Sequence, residues 1–182
     1  MAQIESPYTV DFETAVPTNS SSNGSSNRNF KLGIGWDHIA NFVNAGYAGN
    51  YYVAYEFKST GGVDGSQALY AGNNYYSGWY GSGTAEDYLI TPPITGEMTL
   101  AVKKYVSSGS IHFYKFSMED GVLTKGDEIT FTGELTTDGF TTVSLGELPE
   151  NTRVGIQMSN VLIDNLNAAS ADVTPRAMLK VE

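Results

Sequence analysis

The 182-residue chain is expected to be all-β, a sandwich or a barrel, on three observations. Only 16% of its residues are charged, so Thr, Ser, Asn, Gly and Tyr fill a surface that a helical protein would coat with Glu, Lys and Arg. Its 12 tyrosines and its β-branched residues suit a pleated, half-buried surface, while its 20 glycines and its asparagines close tight turns. Short period-2 runs recur along the chain, separated by turn signals such as Ser107-Ser108-Gly109, Glu119-Asp120-Gly121 and Thr137-Asp138-Gly139. Many short strands at such spacing build sandwiches and barrels.

The elements follow in order. Residues 8–13 read as a first strand, with Asp11 and Glu13 projecting from one face and Phe12 from the other, into a core. Residues 18–29 are Ser- and Asn-rich and bury nothing that would offset ordering entropy, so a mobile surface loop is expected there. Residues 36–44 are the only helical candidate, and their apolar positions suit a strand equally. Glu86-Asp87 reads as a turn entering a strand. Residues 99–106 place Leu100 and Val102 on one face. Ile111 and Phe113 interleave with His112, Tyr114, Phe116 and Met118, so both faces of that strand should be partly buried. Ile129, Phe131 and Gly133 alternate with Thr130, Thr132 and Glu134, and Val154, Ile156 and Met158 with Gly155, Gln157 and Ser159. One domain over residues 1–168 is expected. Residues 169–182 read as an edge strand or a linker toward a neighbouring domain.

Charge and composition exclude several classes. With 20 acidic against 10 basic residues the net charge is −10, which repels nucleic acid and anionic lipid but tolerates calcium. The absence of cysteine removes disulfides, thiolate zinc sites and cysteine nucleophiles. No run approaches the roughly 18 apolar residues of a membrane span. Met1-Ala2-Gln3-Ile4-Glu5 has neither the basic start nor the apolar core of a signal peptide. Catalysis finds little support. Glycoside hydrolysis uses two facing carboxylates, yet Asp127-Glu128 and Glu119-Asp120 read as solvated turns. His38 and His112 show neither a triad context nor metal-ligand spacing, and no phosphate-cradling Gly-Lys-Ser or Gly-Lys-Thr occurs. The chain is not expected to be an enzyme.

Four segments, in order, carry a resemblance: Asp11-Phe12-Glu13 with Pro17 and Gly35-Trp36; residues 64–70; residues 86–94, with Tyr88-Leu89-Ile90-Thr91-Pro92 at their centre; and Val161-Leu162-Ile163-Asp164-Asn165-Leu166. Together they resemble the cleaved-adhesin and choice-of-anchor domains of secreted bacterial surface proteins, which are similar to carbohydrate-binding modules and MAM domains. The Ser/Asn loop sets Trp36 farther from Pro17 than those families do. The resemblance implies a two-sheet antiparallel jelly-roll β-sandwich and a secreted or cell-surface setting. It also implies a structural calcium, with Glu13 and Asp164 as first ligands, Asp11 as the third and a carbonyl near Gly65 as the fourth. Asp164, an acid inside an apolar strand, needs a partner if buried; a cation, a backbone turn or Arg153 would serve.

Nine of the tyrosines lie between Tyr47 and Tyr88, with Trp79 among them. Flat aromatic faces at low entropic cost suit pyranose rings, and Trp79, Tyr76 and Tyr80 are the candidate sugar-facing residues. Paired aromatics put one ring on each sheet face, so half of the cluster is equally core, and Trp36 is expected to be packing. The function expected is a non-catalytic, calcium-stabilised module binding carbohydrate or a host glycoprotein. The alternative is a structural or adhesive spacer whose contacts are with protein, including neighbouring domains of a larger chain.

Overall fold

A computed structural model describes residues 8–10, 12, 36–43, 55–73, 75–78 and 81–168, with backbone only for 8–9, 38–43, 75–78 and 81–85. Its strands are β1 (Tyr8–Val10), β2 (Asp37–Val43), β3 (Tyr55–Lys58), β4 (Ala68–Ala71), β5 (Tyr75–Gly78) and β6 (Gly81–Ile90). They continue with β7 (Ile94–Lys104), β8 (Ser110–Glu119), β9 (Val122–Ile129), β10 (Thr141–Ser159) and β11 (Val161–Ala168). All pair antiparallel. The helical alternative for residues 36–44 is settled as strand, and a 3₁₀ turn at Val63–Gly65 interrupts the β pattern.

Two sheets face one another in a jelly-roll β-sandwich. Sheet I runs β3-β4-β11-β7 and then the first half of β10, with β1 on β11 beside β4. Sheet II runs β2-β6-β10-β8-β9, with β5 on β6. Strand β10 serves both: residues 141–152 pair with β7, whereas residues 153–159 pair with β8 and touch β6. Register shifts after Ser144 and Leu148, with positive φ at Gly146 and Asn151, mark where the strand turns from one sheet to the other.

The core lies between the sheets. Leu69, Leu100 and Ile163 from sheet I meet Leu89, Phe113 and Ile156 from sheet II, with Trp36 and Phe12 also buried there. Each fully buried side chain of this kind contributes on the order of 1.5–3 kcal/mol. Tyr55 of sheet I donates its hydroxyl to the buried carboxylate of Asp87 on sheet II, a polar tie through the apolar layer.

Four expectations are corrected. Residues 86 and 87 lie inside β6 rather than in a turn, because Asp87 points into the core and finds its donor in Tyr55, 32 residues earlier. Asp127 and Glu128 belong to β9, although both are exposed. The run through Gly133 ends as a strand at Ile129; only a single bridge, Thr132 to Ser144, continues it, and Gly133 has φ 119. Phe12, read as part of the first strand, has φ 61 and lies beyond β1, although it is buried in the core as expected.

Candidate functional site

Alternation gives sheet II a second face, turned away from the inter-sheet core. On β8 the buried Ile111 and Phe113 point inward, which leaves His112, Tyr114 and Phe116 outward. On β6, Leu89 points inward while Tyr88 and Ile90 point outward. The register then sets residues from distant parts of the chain in rows. Gly155 lies between Ile90 and Tyr114, Gln157 beside His112, Arg153 beside Phe116, and Phe116 beside Lys125.

These residues form a small apolar cluster of their own: Tyr88, Ile90 and Phe116, with the half-buried Tyr114 and Leu123 packed against it. The Tyr88 ring meets Tyr114 edge-on, centroids 5.6 Å apart, and Phe116 at 5.3 Å with a 58° tilt. Such aromatic pairs add about 0.5–1.5 kcal/mol beyond the area they bury. Gly155 is what allows this packing. A Cβ there would lie 2.1 Å from Phe116 Cε2, so any side chain would lift the ring. Lys125 arches over the cluster, its Nζ 4.1 Å from the Tyr114 centroid and 5.1 Å from that of Tyr88. A hydrogen bond to Tyr88 leads the causes that raise the Lys125 pKa, so the ammonium is charged at neutral pH. Burial first and Glu128 second raise the Tyr114 phenol above its ordinary value, so Tyr114 is neutral and able to donate.

Polar groups ring the aromatics. His112 Nδ1 lies 2.9 Å from Glu128 Oε1, and Arg153 Nη1 donates to Asp37 Oδ2 at 3.2 Å. Gln157 is half-buried on the same face. The arrangement supplies flat apolar plates beside an ammonium, an amide, an imidazole and a carboxylate. Chemically it can stack on C–H faces and exchange hydrogen bonds with hydroxyls. Of its carboxylates, Asp37 is held in an ion pair by Arg153, and Glu128 lies within hydrogen-bond distance of the His112 ring.

Of the aromatics expected to face a sugar, Tyr76 lies on β5 opposite Gly83, and Gly78 pairs with Gly81 to frame Trp79 and Tyr80. That hairpin belongs to sheet II, through the same β6 that carries Tyr88. The side chain of Tyr76, and Trp79 and Tyr80 altogether, lie outside the described residues. The sequence did not single out Tyr88, Tyr114, Phe116 or Lys125. Their signal was the expectation that both faces of β8 would be partly buried.

The metal candidates meet a different environment. Asp164 is fully buried, and its carboxylate closes the 62–66 turn. Its Oδ2 accepts from Val63 N at 2.9 Å and Ser66 Oγ at 3.0 Å, and its Oδ1 from Asn165 N at 2.8 Å. Of the partners considered for it, the backbone turn is present, while Arg153 pairs with Asp37 instead. Gly62 is required there, since a Cβ would lie 2.6 Å from Asp164 Oδ2. Gly65 has φ 79 and donates its N–H to Gly62 O. The first and last strands are neighbours, Val10 opposite Leu166, and Gln67 Nε2 donates to Phe12 O at 2.6 Å beside this turn. Asp11 and Glu13 lie outside the described residues, among which no group of three His, Cys, Asp or Glu side chains comes together.

No family model matches the chain, and no curated protein does. Solved structures are similar to it, among them two that carry a CBM22-1 module. One is the N-terminal CBM22-1–GH10 portion of Clostridium thermocellum endo-1,4-beta-D-xylanase 10B complexed with xylohexaose. Its TM-score is 0.46 at 13% identity, over 86% of this chain and 28% of that one. The other is the CBM22-1 xylan-binding domain of Paenibacillus barcinonensis Xyn10C, TM-score 0.47 and 11% identity, over 94% of this chain and 99% of that one. The chain thus spans about 28% of the xylanase chain it is similar to.

Proposed function

We propose that the chain is a non-catalytic module that binds carbohydrate, free or on a glycoprotein, across the outward face of sheet II, within a secreted or cell-surface protein. The observation that carries this reading is the Tyr88–Tyr114–Phe116 cluster under Lys125, an aromatic surface bordered by hydroxyl-matching groups. The C–H face of a pyranose packs against the accessible rim of the half-buried Tyr114 ring beside Lys125, while Lys125 and Gln157 donate to sugar oxygens and Glu128 accepts from a hydroxyl. The rings beneath are already packed, so little side-chain order is lost on binding. A net charge of −10 favours a neutral glycan over a polyanion.

Titration calorimetry against neutral oligosaccharides, xylo-oligosaccharides among them, tests this. A member of the panel should bind, and Tyr114→Ala should weaken it about tenfold, or about 1.4 kcal/mol, with the fold intact. No binding across the panel, or an affinity indifferent to Tyr114→Ala, would contradict it.

We infer in addition that a structural calcium sits by the 62–66 turn. Supporting it are the fully buried Asp164 carboxylate and the hydrogen bond from Gln67, next to its turn, to Phe12, the residue between Asp11 and Glu13. Hydrogen-bond donors already meet three of about four acceptor positions on Asp164. A full ligand set therefore depends on Asp11, Glu13 and main-chain carbonyls such as that of Gly65. When bound, the ion would tie the chain's first strand to its last. Calcium should raise the melting temperature and EDTA lower it; identical melts would remove the ion from the account.

A further inference from the structure

The outward face of sheet I carries a second aromatic pair in a different electrostatic setting. The register aligns Lys103, Leu162, Tyr70 and Glu56 in one row across β7, β11, β4 and β3. Strands so paired are about 4.8 Å apart. Two residues past Lys103, Tyr105 stacks on Tyr70 with centroids 4.7 Å apart and a 56° tilt. Leu162 is buried in this row, yet Tyr105 keeps 53% of its surface exposed. The Tyr70 hydroxyl donates to Asn160 Oδ1 at 3.4 Å, which anchors the lower ring. Lys58 Nζ stands 5.1 Å from the Tyr70 centroid and 3.1 Å from Glu56 Oε2.

In a chain with twice as many acidic as basic residues, this concentration of lysine is out of keeping with the whole. Lys58 shares its charge with Glu56, whereas Lys103, in the same row, is half-buried at the other side of Tyr70. The exposed Tyr105 ring, set on the half-buried Tyr70 with Lys58 beside it and Lys103 two residues before it, offers one sugar a stacking plate and a counter-charge. The global negative charge repels a densely anionic chain such as nucleic acid or a polyuronate, so the fitting ligand carries an isolated carboxylate.

We propose that Tyr105 and Tyr70, with Lys103 and Lys58, form a second glycan platform, specific for a uronic acid borne on an otherwise neutral oligosaccharide. The pyranose lies on the exposed Tyr105 ring and its carboxylate is received by the two ammonium groups, chiefly Lys103. This platform is on the opposite face from the sheet II cluster and does not depend on it.

The test uses a matched pair of probes: a xylo-oligosaccharide bearing one glucuronic acid, and the same compound with that carboxyl reduced to the alcohol. At low salt the acid form should bind about fivefold to tenfold more tightly than the reduced form, a gap that narrows as salt screens exposed charge. Lys103→Gln should close most of the gap, and Tyr105→Ala should abolish it. Both side chains are at the surface, so circular dichroism and melting should show the folds unchanged. Tyr114→Ala, on the other face, should leave the preference standing. Equal affinity for the two probes, or a preference that survives both Lys103→Gln and Tyr105→Ala, would overturn the proposal. A preference removed only by Tyr114→Ala would place carboxylate recognition at Lys125, ending this proposal while leaving the sheet II site in force.

Discussion

The two outward faces use the same ingredients, tyrosine rings with a lysine above them, and differ in what lies beneath. On sheet II a glycine, Gly155, lowers the floor of the sheet, so Phe116 sinks onto it and Tyr88 closes in until each is under 5% exposed. On sheet I the cross-strand row holds Leu162 and no glycine, and Tyr105, just past the end of β7, stays half in solvent on the Tyr70 ring. On sheet II one glycine therefore turns an aromatic group into packing with an accessible rim, whereas on sheet I the outer ring stays an open plate. Stability and availability are traded against each other between the two outward faces of one sandwich.

Removing the low floor should have the largest effect. Gly155→Val forces the Phe116 ring outward and should cost about 3 kcal/mol, the upper range for overpacking, read as a lower urea midpoint together with loss of glycan binding. A stable Gly155→Val variant with binding retained would break the contrast between the faces. On sheet I the corresponding structural element is the turn held by Asp164. Asp164→Ala strands the Val63 and Asn165 N–H groups and the Ser66 hydroxyl. It should cost about 2 kcal/mol, and hydrogen exchange at those two amides should rise.

A smaller effect is expected where the sheets are tied. Burial, and then the Asp87 carboxylate, hold the Tyr55 phenol well above its ordinary value of about 10. The folded state thus keeps a proton that the unfolded chain releases, and stability falls as pH rises above about 10. Tyr55→Phe should remove that alkaline decline while costing about 1 kcal/mol at neutral pH, seen in denaturation midpoints from pH 8 to 11. The smallest effect is reserved for the open plate. Tyr105→Ala should change stability by less than about 0.5 kcal/mol, as surface substitutions do, whereas Tyr114→Ala should cost more because its ring packs against Tyr88.

The sandwich was legible because period-2 alternation is local: Val154, Ile156 and Met158 declare an inner face within five residues. The burial of Trp36 and the need of Asp164 for a partner were legible for the same reason. The proposed face was not, because Tyr88, Tyr114, Phe116 and Lys125 come from three strands and meet only through the registers of β6, β10, β8 and β9. Local tyrosine density is instead highest around residues 75–80, a contrast that a linear sequence shows and a cross-strand cluster does not. Asp87 was misjudged because its partner, Tyr55, is remote in sequence, and Phe12 was read as strand because nothing local announces its left-handed backbone. The likeness to cleaved-adhesin and choice-of-anchor modules rests on its short motifs.

The central claim is that carbohydrate lies across the outward face of sheet II. Residue-resolved NMR during titration with a bound neutral oligosaccharide tests it most directly. The account predicts that the largest shifts fall on Tyr114, Lys125, Gln157 and His112, with Tyr70 and Tyr105 unmoved. Shifts confined to sheet I, or scattered over the edges with the Tyr114 ring silent, would contradict it.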